Sequence, residues 1–463
     1  MTARRWSVVI GVAAAALLLA CSSQERTPLP SAAALTAQGG DATVDVAGKD
    51  AFSQPVPGLD GDDARTFAIG NSFFNDNWVT APSSTDGRDG LGPLFNAQSC
   101  STCHFKDGRG QPPTDADDPT RGLLLRLSEL DADGTVVPSA AWGDQLQDRG
   151  IRGVPVEGTI LITSVEHRGT YPDGTPYTLV EPRYSIIGPD GKPLPPRLLI
   201  SPRVAPAVFG VGLLDAVPAQ DIEANADPDD ADGDGISGRP NLVTTTDGRT
   251  VLGRFGWKAA VPTVDDQNAG AFNGDIGITS SRHAEQSCTR LEAECLAAPS
   301  GGEPEVNDRK LGQVTFYTRT LAVPARRDAR SATTRAGQRA FQQVGCASCH
   351  LTELHTGSTD VDVLSHQTIR PYTDLLLHDM GERLADHRPD QSASGTEWRT
   401  APLWGIGLVE TVNGHTRFMH DGRARSLEEA ILWHGGEATH AKDGFMALDK
   451  KTRQQLLAFL ESL

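Results

Sequence analysis

The sequence has no excess of positive charge, because 60 acidic residues outnumber 42 basic ones and the net charge is -18. This balance excludes nucleic acid and anionic membrane surfaces from the expected binding partners. The sequence also lacks an internal repeat of the solenoid kind. Its apolar run at residues 8–20 is too short and too early for a stable membrane-spanning helix. A hydrophobic content of 38% is low but sufficient for a core, especially if apolar cofactors add buried surface.

The N-terminus has the features of an export signal. Two arginines precede the apolar run at residues 8–20, which is followed directly by Cys21. The ending L-L-A-C looks like a bacterial lipobox, in which Cys21 is lipidated; an ordinary signal peptide cut nearby is the alternative. Ser22 rather than aspartate follows, which by resemblance to bacterial lipoproteins favours the outer membrane of a Gram-negative cell. We expect a signal peptide at residues 1–20, a flexible tether at residues 21–58, and membrane contact through the lipid anchor alone.

Two copies of the motif C-x-x-C-H carry the strongest chemical signal, at residues 100–104 and 346–350. The two thiols of each copy lie about one helical turn apart, so both can form thioethers to one porphyrin while the histidine binds the iron. A redox-active or zinc-binding C-x-x-C beside a chance histidine is the alternative. We predict two covalently bound haem c groups. The residues predicted to hold them are Cys100, Cys103, His104, Cys346, Cys349 and His350.

Two further cysteines, Cys288 and Cys295, remain after the haem motifs and Cys21. In an oxidising compartment they most simply form a disulfide. A redox-active dithiol is the alternative, but Arg290 is the only basic residue between them that could lower a thiol pKa. We therefore predict the disulfide.

Periodicity divides the rest of the chain into helical and β-rich parts. Apolar spacing predicts helices over residues 331–344 and 448–463, which flank the second motif as in a cytochrome c domain. Alternating residues and turn sequences from 123 to 187 predict strands. The 48 glycines and 30 prolines indicate many long loops. We predict a mainly α fold with two cytochrome c-like haem domains, at residues 59–325 and 326–463, and a β-rich insertion in the first.

An acidic loop adds a metal signal that is independent of haem. The sequence D-A-D-G-D-G-I at residues 230–236 matches positions 1, 3, 5 and 6 of a calcium-binding loop. The glutamate usual at position 12 is replaced by Asn241, so a solvated acidic loop is the alternative. The predicted calcium ligands are Asp230, Asp232, Asp234 and Ile236.

The two haem motifs and the sequence M-H-D-G-R-A-R-S-L-E-E-A at residues 419–430 resemble the bacterial di-haem cytochrome c peroxidase superfamily. Within it, the chain is most similar to the di-haem oxidoreductase-like branch. The resemblance extends over nearly all of the chain after the tether. Further matching segments are residues 89–96, 209–214, 253–258, 371–381 and 430–437.

The resemblance implies a second ligand for the C-terminal haem. The matching position is His434, where methionine is usual in the peroxidases, and histidine would lower the reduction potential relative to methionine. The alternative is that His434 binds a haem propionate or caps a helix. Met380 and Met419 are rival ligands, whereas His378 and His420 are expected to be structural.

The resemblance also implies an unusual N-terminal haem. The peroxidases place a switchable histidine soon after the first motif, but no histidine occurs between His104 and His167. The distal side is then open, or a distant segment covers it. Gln147 and Glu157 reproduce the family's glutamine and glutamate ten residues apart, and imply a general acid–base role. Two polar residues of a surface loop are the alternative.

These observations favour a periplasm-facing, lipid-anchored di-haem oxidoreductase. Electrons from a small periplasmic donor would pass through the C-terminal haem to the N-terminal haem, which would reduce peroxide or another small oxidant. The alternatives are an electron-transfer lipoprotein without substrate chemistry, an oxygen-activating di-haem oxygenase, and a binding lipoprotein in metal uptake.

Overall fold

The computed structural model describes residues 35–463, except residues 86, 116–117, 119–121, 196 and 246–247. The predicted signal peptide, Cys21 and the first part of the tether lie outside the described residues. The described residues belong to one compact unit. No helix in the described part of the chain is long and apolar enough to cross a membrane. The division between the two haem domains stays a prediction.

Helices form where apolar residues recur with helical spacing and a polar residue caps the first turn. Ser331 and Asp449 cap the two predicted C-terminal helices by accepting backbone N–H groups. The described α-helices are α1 (Gly61–Asn75), α2 (Cys100–Cys103), α3 (Val211–Asp215), α4 (Ala219–Glu223), α5 (Val264–Ile276), α6 (Ala293–Leu296), α7 (Asp308–Arg319), α8 (Ala332–Gln343), α9 (Val409–Asn413), α10 (Leu427–Trp433), α11 (Thr439–Ala447) and α12 (Lys450–Ser462).

The strands are numerous and mostly very short. The described strands are β1 (Thr43–Val44), β2 (Leu94–Phe95), β3 (Leu123–Leu130), β4 (Val136–Val137), β5 (Arg149–Gly150), β6 (Thr159–Thr170), β7 (Pro176–Ile187), β8 (Leu198–Val204), β9 (Leu242–Thr244), β10 (Thr250–Leu252), β11 (Val323–Pro324), β12 (Leu354–His355), β13 (Thr368–Ile369), β14 (Leu377–Asp379) and β15 (Glu397–Arg399). They form one three-stranded sheet, β4-β3-β8, and six two-stranded pairs.

The predicted mainly α fold is wrong. Only 30% of the structure is helical and 19% is strand, spread over many small sheets. The strands extend beyond the predicted insertion: β1 pairs in parallel with β11, and β14 pairs with β15. Pairs of two or three residues leave no periodic pattern in the sequence, since a period needs several residues to appear.

The longest sheet element is a hairpin of β6 and β7, which pair in antiparallel register from Thr159 with Ile187 to Thr170 with Pro176. The residues at its tip belong to the C-terminal core, because Tyr171 and Leu179 are buried there with Trp433. The hairpin therefore joins the β-rich part of the chain to its C-terminal part.

Two clusters of buried residues form most of the core. The larger cluster packs α1, α5 and α7 together, and the rings of Phe74 and Tyr317 lie 5.4 Å apart there. The second cluster packs α8 against α12 around Phe341 and Phe459, whose rings are 5.2 Å apart. The helices approach closely at Gly337, where an added Cβ would lie 1.8 Å from the carbonyl oxygen of Gln455. This crossing supports the loop that carries the second C-x-x-C-H motif.

Candidate haem sites

The first C-x-x-C-H motif forms the short helix α2, and His104 follows its last residue. His104 Nδ1 lies 2.7 Å from the carbonyl oxygen of Pro206. Burial lowers the pKa of His104 to about 4, so the imidazole is neutral and its Nδ1–H donates to that carbonyl. The Nε2 lone pair is left for a metal, as in histidine ligands oriented by a backbone carbonyl.

The second motif repeats this arrangement on a 3-10 helix at Cys346–Ser348. His350 Nδ1 donates to the carbonyl oxygen of Tyr372 at 2.8 Å. Burial, with a smaller contribution from the nearby His434, lowers the pKa of His350 to about 4. Both motif histidines are thus neutral and present Nε2 in the same way.

A single cavity of about 1560 Å³ opens onto both motifs. Sites for one drug-sized ligand enclose about 300–1,000 Å³, so this cavity has room for more than one large cofactor. Burial raises the pKa of Cys100 and of Cys346 to about 12, which keeps them as thiols. All six motif residues line the cavity: Cys100, Cys103, His104, Cys346, Cys349 and His350.

His434 directly follows helix α10 and also lines the cavity. Its Nδ1 donates to the carbonyl oxygen of Ala430 at 2.7 Å, and burial lowers its pKa. It therefore presents Nε2 in the same way as the motif histidines. Its electrostatic effect on His350 places the two imidazoles near each other. The rivals Met380 and Met419 line the same cavity.

His378 uses both of its ring nitrogens for carboxylates. Its Nε2 lies 2.8 Å from Asp374 Oδ2, and its Nδ1 lies 2.8 Å from Glu437 Oε2. Burial opposes a charge on His378, but hydrogen bonds with Asp374, Cys349 and Glu437 outweigh it and raise the pKa to about 12. This imidazolium has no free lone pair for iron, and the structural role of His378 stays a prediction. Asp374 and Glu437 were not predicted from the sequence.

His420 is buried beside the aromatic residues of the cavity wall. Its ring stacks on Trp398 with the centroids 3.7 Å apart. Burial lowers the pKa of His420 to about 4. The residue lines the cavity, so its structural role stays a prediction.

Gln147 and Glu157 are brought together but are not among the described residues that line the cavity. The backbone N–H of Gln147 donates to the Glu157 carboxylate, and the backbone N–H of Glu157 donates to the Gln147 carbonyl at 3.0 Å. Burial raises the pKa of Glu157 to about 9. Both are buried, so they are not polar residues of a surface loop. Gln147 Nε2 donates to the carbonyl oxygen of Gly274 at 2.9 Å, and the next residue, Asp275, does line the cavity.

Asp275 is a functional candidate that the sequence analysis missed. Gln145 Nε2 donates to its carboxylate at 2.8 Å, and burial raises its pKa. It acts electrostatically on Cys100, which places it near the first motif. An aspartate near the end of a helix carries no distinctive sequence signal, so only the fold identifies it.

The acidic loop brings three carboxylates together. Ligand oxygens of Asp227, Asp230 and Asp232 lie within 4.8 Å of one another. Asp234 is not part of this group of carboxylates, and it accepts the backbone N–H of Ile236 at 2.8 Å. Asn241 is buried and its amide donates to backbone carbonyls elsewhere, so it does not complete the loop.

Cys288 and Cys295 form a disulfide in the structure, with their Cα atoms 5.7 Å apart. The alternative, a redox-active dithiol, would use the same two cysteines. Neither of them is among the described residues that line the cavity. The bond closes a short, largely exposed loop in the predicted N-terminal haem domain.

The histidines of both C-x-x-C-H motifs are neutral, have a free Nε2 and line one large cavity. This arrangement is typical of a di-haem protein. Residues 33–151 and 194–463 match the family described as "Di-haem oxidoreductase, putative peroxidase", and the chain belongs to this family. It is therefore a haem protein of the oxidoreductase class. No curated protein matches the chain significantly. The segment between the two matched parts contains β6 and β7.

Proposed function

We propose that this protein is a lipid-anchored, periplasm-facing di-haem c-type oxidoreductase that transfers electrons from a small donor to peroxide or a similar small oxidant. The observation that carries the proposal is the inequality of the two sites. His350 has the neutral imidazole of His434 near it in the same cavity. His283 also lines the cavity, but the pKa of His104 is set by burial and by the backbone of Pro206 and Gly108, without a contribution from an imidazole.

The chain's own residues support covalent attachment. Each motif lies on a helical turn, and each histidine is fixed by a backbone carbonyl. This second contact sets the tautomer and the ring orientation before a metal binds. When bound, haem supplies one-electron redox chemistry at its iron, where a small oxidant such as peroxide could react.

His350 and His434 would hold the electron-accepting haem, and His104 would hold the reactive one. Histidine at position 434 would keep the reduction potential of the electron-accepting haem lower than methionine would.

Pyridine haemochrome analysis should give two haems per chain. Replacing Cys100 or Cys346 with alanine should weaken the attachment of one haem each.

A proton donor is needed on the peroxide side, since cleavage of the O–O bond releases an oxygen that must be protonated. Resemblance assigns the acid–base role to Gln147 and Glu157, and the raised pKa of the buried Glu157 supports it. Asp275 has a raised pKa as well and reaches the cavity itself. We therefore include Asp275 with this pair as the proposed proton-handling group.

Export and anchoring rest on the N-terminal sequence. Replacing Cys21 with serine should release the protein from outer-membrane fractions of a Gram-negative host, because the lipid would be its only attachment.

The calcium site is supported by the Asp227, Asp230 and Asp232 carboxylates. Luminescence of bound terbium, competed by calcium and lost in Asp230→Asn, tests it.

Low-temperature electron paramagnetic resonance of the oxidised and half-reduced protein tests the central proposal. One high-spin haem that reacts rapidly with peroxide is the expected result. Two low-spin, six-coordinate haems in both states would instead indicate a carrier of electrons without substrate chemistry. A stable oxygen adduct would indicate oxygen activation.

A further inference from the structure

The cavity wall contains more cations than its carboxylates can neutralise. Eight arginine and lysine side chains line it. Five of them pair with carboxylates, and Arg249 is engaged by another contact. Among the described residues, Arg109 and Arg399 have no carboxylate within salt-bridge distance. Both guanidinium groups are held by backbone carbonyls instead.

Arg109 follows the first motif in the same loop. Its Nε donates to the carbonyl oxygen of Arg417 at 2.7 Å, and one Nη donates to that of Met419. The guanidinium lies over the Trp257 ring, 5.1 Å from the centroid. Burial lowers the pKa of Arg109 to about 10, although Asp421 acts on it electrostatically in the opposite direction.

Arg399 lies on the side of the second motif. Its Nε donates to the carbonyl oxygen of Gly256 at 3.0 Å, and Nη1 donates to that of Thr400 at 3.3 Å. Burial lowers the pKa of Arg399 to about 10, and Asp374 acts on it from a distance. Asp374 binds His378, which contacts Cys349, so this group of residues leads from Arg399 to the second haem motif.

An arginine carries five N–H donors, and each of these two uses only part of them on the described residues. Both residues are only half-buried because they face the cavity. A cation held inside a protein without an anion is unfavourable, so the cavity should contain anionic groups when it is filled. Haem brings two propionates, and the guanidinium fork matches a carboxylate with two parallel hydrogen bonds.

We propose that Arg109 binds a propionate of the N-terminal haem and that Arg399 binds a propionate of the C-terminal haem. This inference rests on the proposed di-haem function. Both arginines also contact the segment around Trp257, since the backbone N–H of Arg399 donates to the Trp257 carbonyl at 2.9 Å. Both arginines therefore contact Trp257, Arg109 through the indole ring and Arg399 through the backbone, and each is assigned to the haem of the motif to which its other contacts lead.

Redox titration of Arg109→Gln and Arg399→Gln, followed by electron paramagnetic resonance, tests the assignment. A nearby cation favours the reduced haem, because reduction removes a positive charge from the iron. Arg109→Gln should lower the potential of the N-terminal haem more than that of the C-terminal haem, and Arg399→Gln should do the reverse. Arg339→Gln is the control: Arg339 is exposed on α8, where water and salt screen its charge, so neither potential should move.

Lysine variants separate charge from hydrogen-bond geometry. Arg109→Lys and Arg399→Lys keep the charge and should keep most of the potential. They should still shift the propionate bending bands in resonance Raman spectra, because lysine cannot form the paired hydrogen bonds. If a glutamine variant does not fold, the lysine variant at the same position still tests the propionate contact.

Potentials and Raman bands that match the Arg339→Gln control in all four variants would overturn the inference. None of these measurements uses peroxide turnover. A protein with arginine-bound propionates but no peroxide reaction would therefore contradict the proposed function alone.

Discussion

The hydroxyl of Tyr171 donates a hydrogen bond to Glu428 Oε1 at 2.7 Å. Tyr171 lies at the tip of the β6–β7 hairpin, and Glu428 lies in the first turn of α10, the helix that leads to His434. Arg453 packs on the same tyrosine, since its guanidinium lies 4.1 Å from the Tyr171 ring centroid and pairs with Asp173. The hairpin falls outside the matched family segments and yet supports the helix of the proposed haem ligand.

Replacing Tyr171 with phenylalanine should therefore destabilise the protein. The loss removes one hydrogen bond to a charged group and should lower the free energy of unfolding by about 1.5–3 kcal/mol. Urea unfolding followed by fluorescence measures it. Tyr177→Phe is a matched control in the same hairpin, because the Tyr177 hydroxyl has no hydrogen-bond partner among the described residues. Equal midpoints for the two variants would contradict the expected role of Tyr171.

The C-terminal helices could be predicted from the sequence, whereas most strands could not. Helices α8 and α12 repeat their apolar residues over three turns and begin at capping residues, so the pattern is long and local. In contrast, β1 pairs with β11 across some 280 residues and contains only two residues. Such a pair depends on tertiary packing, which overrides any local preference.

The same distinction applies to the candidate site. The C-x-x-C-H motifs are contiguous, so their chemistry is visible in the sequence alone. His378 was visible as a histidine, but its carboxylate partners lie 4 and 59 residues away, at Asp374 and Glu437. The unpaired state of Arg109 and Arg399 is likewise a property of the folded cavity, and sequence spacing carries no information about it.

His434→Met should raise the reduction potential of the C-terminal haem, because thioether ligation favours ferrous iron more than imidazole does. Spectroelectrochemistry measures the change, and a methionine–iron charge-transfer band should appear in the oxidised spectrum. His440→Met is the matched control, since His440 also lines the cavity but is not a proposed ligand. If His434→Ala left the spin state of both haems unchanged, His434 would not be a ligand.

Lys258 and Asp386 form a buried ion pair, with side chains 0% and 1% exposed and Nζ 2.8 Å from Oδ1. Lys258→Met should lower the free energy of unfolding by about 3–5 kcal/mol, because it leaves the carboxylate without its buried cation. Chemical denaturation measures the loss. The exposed pair of Lys192 and Asp190 provides the control, and Lys192→Met should cost less than about 1 kcal/mol. A small loss for Lys258→Met would mean that other donors suffice for Asp386.

The buried Glu157 should make stability depend on pH. Burial raises its pKa from 4.5 to about 9, so the folded protein holds a proton there that the unfolded chain releases. The stabilisation is complete below about pH 4.5 and is lost progressively as the pH rises to about 9. Wild-type protein should therefore lose more stability than Glu157→Gln between about pH 5 and 8, by up to about 1.4 kcal/mol per pH unit. Parallel pH profiles for the two proteins, with the exposed Glu166→Gln as control, would show that Glu157 is ionised when folded.

Asp275 should affect the peroxide reaction more than Glu157 does, because it reaches the cavity and Glu157 does not. Asp275→Asn keeps the size of the side chain but removes a carboxyl that could donate and accept the proton. We expect a loss of about 100-fold in the second-order rate constant for peroxide, measured by stopped-flow absorbance of the haem. Glu157→Gln should cause a much smaller loss. The exposed Asp190→Asn controls for loss of charge. A larger loss in Glu157→Gln than in Asp275→Asn would instead return the acid–base role to Gln147 and Glu157, acting on the cavity through their contact with Gly274.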